Sequence, residues 1–254
     1  MINVHTPYSA PLASERIDRI LNEGKVPETP SFSIPKKSDI ILSPMSSIVL
    51  SCLTVTFNIR SDSSDGEEPT KGTVAKILFS EIGRVMYDNS DCYDIGAFGN
   101  IIWGIFNAPL QNNLNTLLET AAKVESVVDL INSKLTDKHC RIVAGIGIDY
   151  GSSVYITDEI SVVKDQRNEA WMGDVIENSS RVSLTMTFNN SIMVSNNNNE
   201  KRPIGITESV YKNLKQDYQA YFVKDDIYNC YRAGLINVSI NDWIKDNIKN
   251  KLKQ

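Results

Sequence analysis

The sequence predicts an α/β (α+β) fold in which a sheet carries packed helices. Three observations carry that prediction. The β-branched and apolar run from Ile48 to Ile59 reads as a buried strand. Two later segments repeat apolar residues at helical spacing. Between them, "YDIGAFGNIIWGIFNAP" reads as two short strands around Gly99-Asn100, a dipeptide that suits a tight hairpin turn. The resulting order, β-α-β-β-α-β, is a split βαβ arrangement expected to hold its helices on one face of the sheet.

Residues 1–42 read as an N-terminal arm, with a short helix at "SERIDRILNE" and extended chain at the proline-bearing "PETPSFSIPKK". Residues 40–59 contain no charge over a length that could cross a bilayer. Their Ser, Thr, Pro and Asn content favours two short strands over a membrane span. After a loop at 61–71, Val74, Ile77, Leu78, Ile82, Val85 and Met86 define the first helix. Leu114, Leu117, Leu118, Ala121, Val124, Val128, Ile131 and Leu135 form the stripe of a second, about six turns long. "RIVAGIGID" is expected to be a strand ending at Tyr150-Gly151, with "SVYI" paired beside it. A short helix is expected from Asp174, then a strand at "SIMVS" and a loop at the asparagine run 196–199. "TESVYKNL" reads as a helix capped by Thr207 with Glu208 near its start, and "AYFV" as a further strand. A domain at 43–224 and a C-terminal extension at 225–254, ending in a solvated helix "KDNIKNKLKQ", complete the organisation.

At 254 residues one large domain is expected. A formal net charge of −5 offers no general attraction for nucleic acid or an anionic membrane. Cys52, Cys92, Cys140 and Cys230 are scattered, with no CxxC pair and only His5 and His139 as histidines, so reduced thiols and no zinc site are expected. The opening residues lack the basic start, apolar core and cleavage site of an export signal, which points to the cytoplasm. Gly145, Gly147 and Gly151 do not make a dinucleotide fingerprint and are expected at a dimer seam.

Four blocks, "FNIRSDS", "FGNIIWGIFNAP", "VAGIGIDYG" and "WMGDVIENSSRV", together span about half of the chain. In order and spacing they resemble the class III nucleotide cyclase catalytic domain, most closely the bacterial pyrimidine nucleotide cyclases of the Pycsar antiphage type. The resemblance implies a ferredoxin-type core with a mixed, mainly antiparallel sheet. It also implies closure of UTP or CTP to the 3′,5′-cyclic nucleotide with loss of pyrophosphate, as a signal in antiphage defence. Mg2+ or Mn2+ would assist, at composite sites between the subunits of a homodimer or of a heterodimer with a second cyclase chain.

The same resemblance places Asn58, Ile59 and Asn100 at the family's metal positions, where aspartates are expected in place of the two asparagines. An amide offers one neutral carbonyl oxygen where a carboxylate offers two anionic ones, so the pocket loses two formal negative charges. Coulomb attraction at contact distance is several kcal/mol at an effective dielectric of about 20, so cation binding should be weak or absent. Asn58 and Asn100 also suit a strand end and a hairpin turn, and Asp62, Asp65, Asp149 and Asp174 are the acids that could compensate. Arg181 matches the family arginine that stabilises the phosphate in the transition state. Glu177 stands where the ribose-positioning asparagine is expected, and Asn178 is one residue out of register, about 100° around a helix. Gly96 and Ala170 occupy the base-selecting positions, where neither can hydrogen-bond through a side chain; this disfavours a purine. Trp171 reads either as a base-pocket wall or as a core residue. Two functions stay open: a pyrimidine cyclase with a degenerate metal site, and a catalytically silent pseudocyclase that binds nucleotide or regulates a partner.

Overall fold

A computed structural model describes residues 9–23, 30–35, 45–61, 69–136, 140–159, 167–195 and 201–249. The asparagine run, Asp62 and Asp65, the start and end of "PETPSFSIPKK" and the last residues of "KDNIKNKLKQ" lie outside them. Helix α1 (Ala10–Glu23) precedes strand β1 (Met45–Ser61), helix α2 (Lys71–Tyr87), the hairpin β2 (Cys92–Phe98) and β3 (Ile101–Phe106), and helix α3 (Gln111–Leu135). Then come β4 (Cys140–Glu159), β5 (Arg167–Met172), α4 (Asp174–Ser195), β6 (Ile204–Ile206), α5 (Glu208–Asn213) and α6 (Gln216–Gln219). Strands β7 (Val223–Asp225) and β8 (Cys230–Ala233), helix α7 (Val238–Ile244) and a π-helical turn at Lys245–Lys249 follow.

The strands join in one sheet of order β2-β3-β1-β4-β6-β8-β7, with β5 also on β4. All pairings are antiparallel except β4 with β6, so the sheet is mixed and mainly antiparallel as expected. The β2-β3-β1-β4 portion, with α2 and α3 as crossovers, is the split βαβ core. The hairpin turns at Gly99, whose φ of 61° is open to glycine at little steric cost.

Four local expectations are corrected. Residues 45–61 form one strand instead of two short ones, paired along its whole length with β4 from Met45↔Ile156 to Ser61↔Cys140. Tyr150-Gly151 does not turn, and "SVYI" continues β4; Gly151 lacks the positive φ of a turn glycine and pairs in register with Leu50. "SIMVS" is the end of α4, because Ser183, Met186, Thr187 and Asn190 keep a helical burial spacing up to it. In "AYFV", Ala220 and Tyr221 close the α6 turn and the strand begins only at Val223.

Helices occupy both faces of the sheet, contrary to the one-faced expectation. Leu53, Val55, Phe57, Ile146 and Ile148 pack with Val74, Leu78 and Ile82 of α2 and with Leu117 and Leu118 of α3 in the main core. On the opposite face, α4 lies across the alternate residues Thr54, Thr56, Gly145 and Gly147. The physical reason is steric. A Cβ on Gly147 would stand 2.0 Å from the Ser179 carbonyl oxygen, and one on Gly145 2.2 Å from the Thr187 amide nitrogen. Gly145 and Gly147 thus seat a helix of their own chain, which corrects the dimer-seam reading; a Cβ on Gly151 would meet Val175 of the same helix at 3.2 Å. The contact is hydroxylic. Thr54 Oγ1 and Ser179 Oγ are 3.0 Å apart, Thr56 Oγ1 and Ser183 Oγ 2.7 Å, and Thr187 Oγ1 donates to the Thr56 carbonyl at 2.9 Å. No helix among the described residues is long and apolar enough to cross a membrane. All four cysteines are unpaired.

Candidate active site

The structure sorts the expected site residues into three places. The first is the shared end of β1 and β3. Phe57 N donates to the Asn100 carbonyl at 3.1 Å, and Asn100 Nδ2 donates back to the Phe57 carbonyl at 2.9 Å. Asn58 is the next residue and is exposed, while Ile59 packs against the main core. The family positions Asn58 and Asn100 are therefore neighbours. The Asn100 amide nitrogen is committed to the strand, a contact that a carboxylate could not make because it has no hydrogen to donate.

Among the described residues, the strand end does not supply the carboxylates that a divalent cation pair calls for. No group of three or more His, Cys, Asp or Glu among the described residues could hold a metal ion. Asp149 pairs with Cys52 whereas Asn58 pairs with Val143, so Asp149 lies six residues along β4, about 20 Å at strand rise. Asp174 starts α4 next to Val175, which packs with Leu50, also remote from Asn58. Of the four compensating acids, these two are too distant and Asp62 and Asp65 lie outside the described residues.

The second place is the outer side of α4. Glu177, Arg181, Leu184 and Phe188 are exposed on one helical face, with Ile192 continuing it. Asn178 is rotated toward the sheet and half-buried. Its Nδ2 donates to Asp149 Oδ2 at 3.0 Å, and Arg181 Nη2 donates to its Oδ1 at 3.4 Å. Asp149 is only 3 % exposed. Its other oxygen accepts from Tyr150 N at 2.8 Å and from the Thr207 hydroxyl. Burial pushes the Asp149 carboxyl above its ordinary value, opposed by the Thr207, Tyr150 and Asn178 donors and by the Arg181 charge.

The third place is aromatic. Trp171 Nε1 donates to Asp94 Oδ2 at 3.1 Å, and its ring packs at 4.5 Å from Tyr155 and edge-on at 5.8 Å from Tyr93. Leu50, Ile48 and Ile105 pack around Trp171, which stays half-buried. Gly96 is small for a reason of packing: a Cβ there would fall 2.2 Å from the Trp103 ring. Ala170 is exposed and, as the strand neighbour of Trp171, points to the other face.

Sequence reasoning assigned no site role to Asp94 or Thr207 and treated Asp149 only as a spare metal ligand. A signal for Asp149 was present. An acid inside the otherwise apolar and glycine-rich "VAGIGID" strand is buried, and a buried carboxylate requires several donors.

No protein-family model matches the chain. A uridylate cyclase of Treponema porcinum is 27% identical over 176 residues, covering 65% of this chain and 56% of that protein. The match thus spans little more than half the length of this relative. Among solved structures, a bacterial light-regulated adenylyl cyclase matches with a TM-score of 0.53 at 13% identity, over 95% of this chain and 67% of the other. The guanylyl cyclase Cya2 matches with a TM-score of 0.52 at 14% identity over 76% and 94%. The adenylyl cyclase CyaB from P. aeruginosa does so with 0.51 at 9% over 76% and 97%. The fold is that of class III nucleotide cyclase domains, and in sequence the chain resembles a pyrimidine cyclase.

Proposed function

We propose that this chain is a cytoplasmic pyrimidine nucleotide cyclase with a degenerate metal site. In this reading the ribose 3′ oxygen of UTP or CTP bonds to the α-phosphorus as the bond to pyrophosphate breaks. The cyclic product would signal to an effector in antiphage defence. The observation that carries the reading is the similarity to a uridylate cyclase over 176 residues; separately, the structure leaves Arg181 exposed on the outer face of α4. Arg181 serves the phosphate, since a guanidinium presents several donors and a fixed charge to phosphate oxygens. Leu184, Phe188 and Ile192, 60%, 59% and 45% exposed, continue its face and support a second copy of the chain, or a second cyclase chain, docking there to complete the site.

A second reading, the pseudocyclase, is favoured by the Asn100 amide, whose donation to the Phe57 carbonyl gives it a structural role at a metal position. In that reading the chain binds a nucleotide, or regulates a partner through its dimer surface, without cyclising a triphosphate.

One experiment separates the two. The purified chain is incubated with each of the four nucleoside triphosphates and Mg2+ or Mn2+, with cyclic nucleotide and pyrophosphate detected by mass spectrometry. Product from UTP or CTP alone, lost in Arg181→Ala, is the expected result. Silence from the natural chain with product from Asn58→Asp/Asn100→Asp would establish the pseudocyclase. Silence from both would end the cyclase reading.

A further inference from the structure

We propose that Asp149 is a positioning residue: it turns the Asn178 amide so that its oxygen restrains Arg181, and so aims the guanidinium at a triphosphate. The phosphate in this statement rests on the reading of Arg181 given above.

The geometry is that of a switched amide. An asparagine side chain has a donor end and an acceptor end, and only one can face a given partner. Asn178 Nδ2 points at Asp149 Oδ2, 3.0 Å away, which leaves Oδ1 toward Arg181 Nη2 at 3.4 Å. Reversing the amide would press its oxygen against a carboxylate oxygen and turn its hydrogens toward a cation. The carboxylate thus fixes the orientation of Asn178 from one side, and the guanidinium agrees with it from the other.

Asp149 is itself held from two separate pieces of chain. The Tyr150 amide belongs to β4, and the Thr207 hydroxyl belongs to the cap of α5, where it also accepts from Val210 N at 3.4 Å. Those donors stabilise a carboxylate that burial alone would favour protonating. Asn178 hangs from this anchor. At 3.4 Å the Arg181 contact is at the long edge of hydrogen bonding, so it restrains the guanidinium without capturing it. A phosphate, which forms stronger charge-assisted bonds, can displace it.

The arrangement also accounts for the residue that stands out of register. Glu177, at the position where the resemblance calls for an asparagine, is exposed and an acid. The amide one step further is brought to the Arg181 side by Asp149, so the two departures from the pattern belong to one device.

The test uses the full chain and UTP in magnesium buffer, with affinities from calorimetry. Arg181→Ala is expected to weaken UTP binding roughly tenfold, the worth of a charge-assisted contact. Asp149→Asn, nearly unchanged in shape, should weaken it about fivefold, and the double variant should be no weaker than Arg181→Ala alone, since one residue acts through the other. Additive losses, or Asp149→Asn binding like the natural chain, would overturn the proposal. Thr207→Val, which removes one donor from Asp149, should act in the same direction and guards against a folding defect in Asp149→Asn. A nucleotide-free readout is the side-chain amide signal of Asn178 in a nitrogen–proton correlation spectrum, assigned by its loss in Asn178→Ser. It should move in Asp149→Asn; if it stays in place, the positioning role is refuted even where UTP binds. A natural chain that binds no triphosphate would instead sink the phosphate reading, leaving the amide signal to decide the Asp149 contact.

Discussion

Replacing Asn58 and Asn100 together by aspartate tests the strand-end geometry most directly. The change exchanges Asn100 Nδ2 for an oxygen opposite the Phe57 carbonyl, where the donor now sits at 2.9 Å. One hydrogen bond is lost and two acceptors face each other. A bond of this kind is worth about 1 kcal/mol, and the unmatched carbonyl adds a similar amount, reduced here because Asn100 is exposed and water can enter. The loss should therefore be about 1 to 2 kcal/mol, or roughly 3 to 6 °C in melting temperature for a chain of this size. Paired carboxylates at the strand ends should also acquire cation affinity. Mn2+ at about a hundred times its dissociation constant contributes about 2.7 kcal/mol, more than the loss. Thermal unfolding in chelator and in Mn2+ gives the answer. The double variant should melt below the natural chain in chelator and at or above it in Mn2+, while the natural chain hardly responds to the metal. A variant as stable as the natural chain in chelator would refute the structural role of the amide. A natural chain that responds to Mn2+ as strongly as the variant would refute the charge argument.

Two further outcomes follow from packing and burial. Gly147→Ala places a methyl 2.0 Å from the Ser179 backbone and should lose about 3 kcal/mol or more by urea unfolding, whereas Gly83→Ala, inside α2 with nothing within 4 Å, should gain about 0.4 to 1 kcal/mol. Glu125 is buried on α3, and burial first, then the Asp129 charge, raise its carboxyl from 4.5 to about 7 against the pull of Lys201. The folded state then holds a proton that the unfolded chain releases, so this contribution is complete below pH 4.5 and is lost as pH rises through about 7. At about 1.4 kcal/mol per pH unit the loss is about 3 kcal/mol, and Glu125→Gln should flatten the stability profile across that window.

The sequence made the sheet core legible because its elements are local and periodic. Val74 to Met86 and Leu114 to Leu135 announce their helices, and Gly99-Asn100 announces the hairpin. What escaped is set by contacts distant in the chain. Gly145 and Gly147 carry no sign of which helix will cover them, and the hydroxyls of Ser179, Ser183 and Thr187 read as a polar face until Thr54 and Thr56 are placed beneath them. The site divides in the same way. The adjacency of Asn58 and Asn100 was implied by motif order, whereas the link from Asn178 to Asp149 joins residues 29 positions apart and is invisible without the fold.

The long ladder between β1 and β4 also governs how the chain is made. The pairs run from Ser61 with Cys140 to Met45 with Ile156, so β1 leaves the ribosome 79 to 111 residues before its partner. At about 5 to 20 residues per second that delay lasts roughly 5 to 20 s. Among the described residues made before β4, Ser31, which bridges Ile48, and β3, which pairs with Ser51 to Thr56, can cover one side of β1 sooner. Throughout that interval an apolar strand edge is open to other nascent chains, a template for aggregation. Yield in the cell should therefore depend on translation speed and chaperone supply more than on the stability of the finished sheet.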